Sequence, residues 1–139
     1  MKNRNSKIDD NWKTPDWLYD QLNSEFFFDF DPCPYSEGEI VNDGLITEWG
    51  CSNFINPPYS RKLKEAFVLK AVEESKKGKI CVLLLPVSTS TVLFHEVIKP
   101  NAKEIRFLKG RIKFQKKDEQ GQWYTPKNGG MHDSMIVVL

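Results

Sequence analysis

The hydrophobic positions of this chain alternate between helical and extended spacing. Thr14-Pro15-Asp16 reads as a helix start, with Thr14 as cap, Pro15 at the first position and Asp16 against the positive end, and Leu18 and Leu22 form its apolar stripe. Phe26, Phe28 and Phe30 alternate with Phe27 and Asp29, which predicts a strand ending in an acidic, proline-stiffened loop, Asp31-Pro32-Cys33-Pro34. A loop from Tyr35 to Gly50 carries Asp43-Gly44-Leu45 and Trp49. Asn53-Phe54-Ile55 is a short apolar strand delivered into Asn56-Pro57-Pro58-Tyr59. Leu63, Ala66, Phe67 and Ala71 recur at helical spacing until Lys76-Lys77-Gly78 closes the element with cations and a glycine.

Ile80 to Leu85 is an unbroken apolar run stopped by Pro86, the pattern of a central parallel strand covered on both faces. Ser88, Thr89 and Ser90 supply caps for a helix that carries Val92, Leu93, Val97 and Ile98 and stops near Pro100. Ile105 to Leu108, Arg111 to Phe114, Gln122 to Tyr124 and Met135 to Leu139 read as closely spaced strands, so helical crossovers give way to antiparallel pairing. The expected fold is α/β: a small three-layer core with a mostly parallel sheet and an antiparallel C-terminal hairpin.

Composition narrows the setting. At 139 residues, with 40% hydrophobic and 12% aromatic content, the chain suits one globular domain, 12–139, behind a polar arm, 1–11, that resembles neither a signal peptide nor a membrane segment. Cys33, Cys51 and Cys81 show no Cys-x-x-Cys spacing, and His95 and His132 complete no zinc set, so no metal site is expected and the compartment reads as reducing and cytoplasmic. A net charge of +1 means that nucleic-acid binding would depend on local basic patches and not on a global field.

The chemistry concentrates in Asn56-Pro57-Pro58-Tyr59. A residue before proline is pushed into the extended region and proline φ is nearly fixed, so this loop is stiff. The Asn56 side-chain oxygen and the Pro57 carbonyl can then converge on one exocyclic amine, while the Tyr59 ring offers a face for a base. Two acceptors on the hydrogens of an adenine N6 would draw that nitrogen toward tetrahedral geometry and expose its lone pair to an electrophilic methyl, on a base that must first leave the duplex. A proline-rich turn with Tyr59 as a half-buried anchor would fit the same residues. In an open α/β sheet ligands sit beyond the carboxyl ends of the strands, where Asp31-Pro32-Cys33-Pro34, Asn56-Pro57-Pro58-Tyr59 and Pro86-Val87-Ser88-Thr89 are all expected.

Taken in order, Trp12-x-Thr14-Pro15, Phe28-x-Phe30-Asp31-Pro32-Cys33, Asp43-Gly44-Leu45-x-x-x-Trp49, Asn56-Pro57-Pro58-Tyr59-Ser60, Leu84-Leu85-Pro86 and Gly110-Arg111-x-x-Phe114 resemble the phage and prophage DNA N6-adenine methyltransferase family over residues 12 to 139. The resemblance implies a truncated Rossmann-like core, S-adenosylmethionine as donor and adenine N6 in double-stranded DNA as acceptor. It implies catalytic roles for Asn56, Pro57, Pro58 and Tyr59, and donor contacts from Thr14, Pro15, Asp31, Pro32, Cys33 and Asn56. A donor with an ammonium and ribose hydroxyls also calls for a carboxylate, which Asp31 or Asp43 can supply, although Asp43-Gly44 equally reads as a turn. One departure is that no glycine-rich turn follows Asp31, where Pro32 and Pro34 intervene before Gly38. Amino-methyltransferases acting on RNA or on a glutamine side chain share the tetrapeptide, and a non-catalytic DNA-binding module of the same fold is the other alternative.

Ser60, Arg61, Lys62 and Lys64 follow the catalytic loop, and Arg111, Lys113, Lys116 and Lys117 flank the C-terminal hairpin, so both sets are candidates for DNA phosphate. Lys76, Lys77 and Lys79 read as ordinary C-terminal capping cations. Trp12, Trp17 and Trp49 read as core residues before pocket residues, Cys33 as a loop residue without a partner base, and His132 as part of a mobile loop. So small a core is also a candidate for homodimerisation.

Overall fold

The computed structural model describes residues 12–35, 43–127 and 130–139. Helix α1, Asp16–Phe26, is entered through Pro15, which holds the cap position in extended geometry, and no side chain caps it. Thr14 is therefore not the cap. Lying before a proline, it stays outside the helix, and its hydroxyl is used elsewhere. The expected strand at Phe26 to Phe30 does not form, because α1 continues through Phe26 and Phe27 turns left-handed. Asn23 takes both following amides, Phe27 N–H on its carbonyl and Phe28 N–H on Oδ1, each at 2.8 Å. The segment meets the sheet through a single parallel bridge, Phe30 with Asn53, flanked by the Asp29 N–H on Ser52 O at 2.8 Å.

The main sheet contains β1 (Ser52–Ile55), β2 (Ile80–Pro86), β3 (Glu104–Phe107) and β6 (Ser134–Val138), in the order β1-β2-β6-β3. A short separate ribbon pairs β4 (Lys116–Lys117) with β5 (Trp123–Tyr124). This ribbon is the expected hairpin, but Arg111 to Phe114 is irregular, with Ile112 and Phe114 turned into the core. The sheet is mixed, which corrects the expectation of a mostly parallel one. β1 and β2 are parallel, whereas β6 pairs antiparallel with both β2 and β3. The cause is the route of the chain's end: β6 enters beside the point where β2 leaves, Val87 N–H bonding Asp133 O at 2.9 Å, and inserts between β2 and β3. It follows that β1, β2 and β3 all point the same way, and the loops leaving them share one edge.

Alternation along β2 divides the core between the two sheet faces. Cys81, Leu83 and Leu85 pack with Phe67, Val68, Ala71 and Val72 of helix α2 (Arg61–Ser75), and with Phe94 and Ile98 of a π-helical turn, Leu93–Ile98. Val82 and Leu84 pack with Leu18 and Leu22 of α1 and with Trp12, Ile112 and Phe114. The helical segment after β2 passes Pro100 and ends one residue later with α3 (Lys99–Asn101).

One polar cluster ties the elements together. Glu74 of α2 is fully buried yet bonded to Lys79 (2.5 Å), Lys77 (3.0 Å), Lys70 (3.2 Å) and the Trp49 N–H (3.2 Å). Burial alone would raise its carboxyl, but these donors outweigh that and hold it at about 2. Lys77 and Lys79 are therefore partners of a buried anion and not simple capping cations. Trp49 is a core residue, its Nε1 donating to Gly44 O at 2.7 Å, and Trp17 is exposed.

Candidate active site

Asn56 is the first residue past β1, and the two prolines after it are buried. Its Nδ2 donates to Trp12 O and to Thr14 Oγ1, both at 3.0 Å. A backbone carbonyl can only accept, so the amide nitrogen must face Trp12 and the amide oxygen is turned the other way. Among the described residues, neither Asn56 Oδ1 nor the Pro57 carbonyl receives a hydrogen bond. The Asn56 carbonyl accepts the Cys33 thiol at 3.4 Å, which joins the Asp31–Cys33 loop to the Asn56–Tyr59 loop.

These contacts converge on a cavity of about 230 Å³ lined by Trp12, Lys13, Thr14, Asp16, Tyr19, Asp31, Cys33, Tyr35, Phe54 and Asn56. Water reaches Asp31, yet protein encloses it on most sides, and the loss of solvent pushes its carboxyl up to about 6 against the opposing bond from Cys33 N–H, 2.9 Å to Oδ1. Burial drives the Cys33 thiol well above its ordinary value, with the Asp31 charge adding to the effect, so Cys33 is no thiolate nucleophile. Pro15 and Pro32 are buried and do not line the cavity, and Pro15 O accepts the Leu18 and Tyr19 amides of α1. Asp43 begins a 3-10 turn, Asp43–Leu45, while its side chain lies outside the described residues. Gly44 packs so closely on this loop that a Cβ there would lie 1.9 Å from Pro32 O.

Tyr59 lies next to the cavity and not in its lining. Its ring meets Trp12 at 6.1 Å, Phe114 edge-on at 5.9 Å and His132 edge-on at 5.5 Å, and burial raises its hydroxyl pKa. His132 is thus brought to the catalytic loop, a proximity that its glycine-flanked sequence did not suggest.

A larger cavity of about 350 Å³ lies past Ser60, among Arg61, Lys64, Pro86, Ser88, Thr91 and Phe94. The smaller one is the better candidate for chemistry, because Thr14, Asp31, Cys33 and Asn56 meet there. Arg61 and Lys62 are exposed at the start of α2, Lys64 is half-buried, and Lys113 is exposed. Arg111 is paired with Asp133 at 3.2 Å. Lys116 is 8% exposed, with its ammonium 4.5 Å over the Trp12 ring, and does not stand as a surface cation toward phosphate.

Trp12, read as core before pocket, is buried and also lines the cavity, while sequence reasoning missed Lys13, Tyr19, Tyr35 and Phe54 as lining residues. Their meeting depends on the backbone bridge Lys13↔Gln115 and on Tyr35 accepting Lys117 N–H at 3.1 Å, contacts with no local signal. The available hint was the run of aromatic residues on both sides of the polar motifs. Among the described residues no His, Cys, Asp and Glu cluster could hold a metal ion, and no helix is long and apolar enough to cross a membrane. No curated protein and no solved structure matches the chain. The family model described as DNA N-6-adenine-methyltransferase (Dam) matches residues 2–139, practically the whole length, and the chain belongs to this family of enzymes that methylate adenine N6 in DNA.

Proposed function

We propose that the chain uses S-adenosylmethionine as methyl donor, held in the cavity beside Asn56, and methylates an adenine extruded from double-stranded DNA. The bound donor supplies a sulfonium-activated methyl group, so the acceptor amine needs exposure and orientation and no strong base. Asn56 Oδ1 and the Pro57 carbonyl accept the two amine hydrogens, Pro58 keeps the loop stiff, and Tyr59 stacks on the base. Thr14, Asp31 and Cys33 hold the donor, with Pro15 and Pro32 shaping the wall behind them. Asp31 suits a donor that carries an ammonium group and ribose hydroxyls, since its Oδ2 bonds no described residue and a charged partner would favour its ionised form.

The observation that carries this reading is the doubly anchored Asn56 amide, which leaves an oriented acceptor at the cavity wall. The common direction of β1, β2 and β3, with the polar loops at their carboxyl edge, supports a reduced Rossmann-like core. Ser60, Arg61, Lys62 and Lys64 begin a helix that has no side-chain cap and no acid in its first turn, an end suited to DNA phosphate, with Arg111 and Lys113 as a second contact. The test is transfer of labelled methyl from S-adenosylmethionine to unmethylated duplex DNA, with RNA and protein acceptors in parallel. N6-methyladenine in the DNA is the expected product. Label in RNA or protein would replace the substrate, and absence of transfer to any acceptor would overturn the reading.

A further inference from the structure

We infer that the cavity of about 350 Å³ past Ser60 is a second nucleotide pocket, which takes the base adjoining the extruded adenine on the same DNA strand. The inference rests on the reading that adenine in duplex DNA is the acceptor, and it adds a specificity contact to that reading.

Three polar loops were expected at the carboxyl edge of the sheet, and the proposed donor and acceptor use the first two. The third, Pro86-Val87-Ser88-Thr89, supplies Pro86 and Ser88 to this cavity. The floor is apolar and buried: Leu85 and Met135, which face each other across β2 and β6, together with Phe94 and Ile98. Phe94 and Ile98 belong to the π-helical turn, Leu93–Ile98, a widened geometry that recurs at functional sites. Hydrogen bonds fasten that turn to the loop. Thr91 Oγ1 accepts Phe94 N–H at 3.1 Å and donates to Ser88 O at 2.9 Å, and His95 Nε2 donates to Thr89 O at 2.6 Å.

Size, charge and position select the occupant. A volume of about 350 Å³ with an apolar lining and few polar groups suits a small planar ligand. Both cations of the lining, Arg61 and Lys64, come from the first turn of α2, where Glu65 pairs with Arg61 at 3.2 Å. A ligand with a flat apolar body and an anionic end matches that division. In a nucleotide the base would lie against Phe94 and the phosphate toward Lys64 and Arg61. Arg61 is two residues past Tyr59, a span of about 7 Å at full extension, so a strand whose adenine meets Tyr59 brings its next nucleotide to this opening. None of Asn56, Pro57, Pro58 and Tyr59 lines the cavity, so it is not the place of the reacting adenine itself.

The test uses the full chain and duplexes with one mapped target adenine, either intact or carrying an abasic residue on the 5′ or the 3′ side of that adenine. For the native protein, one of the two abasic duplexes should bind about 10-fold more weakly than the intact duplex, the loss expected for one stacked base. Val92→Trp fills the opening from an exposed position, and Phe94→Leu keeps an apolar floor without the ring. In both variants that ratio should fall toward unity, while affinity for S-adenosylhomocysteine stays unchanged because neither residue lines the donor cavity. Each comparison is made within one protein, so a general loosening of a variant cancels. A native ratio near unity for both abasic duplexes, or an undiminished ratio in either variant, overturns the pocket for the adjoining base. Loss of S-adenosylhomocysteine binding in Val92→Trp would give the cavity to the donor and overturn it too. A native protein that methylates no duplex overturns the underlying reading of the acceptor instead.

Discussion

Asn56 divides one amide between two tasks, and its variants should separate them. Its nitrogen ties Trp12 and Thr14 into the cavity wall, and in the proposed mechanism its oxygen takes the acceptor amine. Asn56→Ala should lower turnover by roughly 10²- to 10³-fold, the range for removing one oriented polar group from a reacting centre, and should also weaken donor binding because the wall loses its anchor. Thr14→Val removes only the anchor, so steady-state kinetics should show a raised donor KM with most of kcat retained. An unaltered donor KM in both variants would mean that the anchor does not shape the cavity. Asp31 predicts a pH response of defined sign. Its carboxyl is raised from 3.8 to about 6, so the free protein is relieved of an unfavourable charge as pH falls through about 6, whereas a donor that needs the carboxylate binds more weakly over the same interval. Donor affinity measured from pH 8 to pH 5 should drop through about 6, and Asp31→Asn should flatten the profile. Asn56 to Tyr59 was legible in the sequence because two prolines constrain four residues locally. Trp12 and Tyr35 were not, because only distant strand contacts bring them to the same cavity.

Elements were legible where periodicity and burial agreed. The run Ile80 to Leu85 became β2 with both faces covered, and the stripe from Leu63 to Ala71 became α2. Phe26 to Phe30 misled because its alternation is that of a helix end, a left-handed Phe27 and a single bridge, whose rings still pack against Tyr19 and Phe54. Between these elements, two contacts hold the site's supporting loops. Gly44→Ala would drive a methyl group into Pro32 O, shifting either the 3-10 turn or the Asp31–Cys33 loop. A loss of about 1–3 kcal/mol is expected on overpacking grounds, together with weaker donor binding, and chemical denaturation alongside calorimetry would measure both. Glu74 fastens α2 to Trp49 and to the start of β2, so Glu74→Gln removes the buried anion shared by Lys70, Lys77 and Lys79 and leaves Lys79 with Glu48 and Lys70 with Glu73. Breaking a buried pair argues for a loss of about 3 kcal/mol in urea unfolding. Its carboxyl is lowered from 4.5 to about 2, so the stability it contributes is complete above pH 4.5 and disappears as pH falls through about 2. A Gln variant that loses stability in parallel with the native protein across that interval would remove Glu74 as the acid-sensitive group.

At the scale of the molecule, a net charge of +1 leaves no long-range field to draw in DNA, so affinity depends on where the cations stand. The fold places Arg61, Lys62 and Lys64 directly after the catalytic loop, on the carboxyl edge shared by β1 and β2. Arg111 is held by Asp133, Lys116 is buried against Trp12 and Lys117 lies over the Trp123 ring, whereas Lys113 is exposed and outside these contacts. Arg61 is itself paired with Glu65 at 3.2 Å, but Lys62 and Lys64 stand outside any described ion pair, so duplex affinity should depend chiefly on the α2 end. Each phosphate contact contributes roughly 0.9 to the slope of log affinity against log salt, so replacing Arg61, Lys62 and Lys64 together by Gln should flatten that slope by roughly 2. Replacing Arg111 and Lys113 should flatten it by about 1 or less. Both variants should bind S-adenosylhomocysteine as the native protein does, since none of these side chains lines the donor cavity. An equal or larger effect from the Arg111 and Lys113 pair would move the duplex from the α2 end to the hairpin, and the catalytic loop would then approach its target from the side of Phe114 and His132.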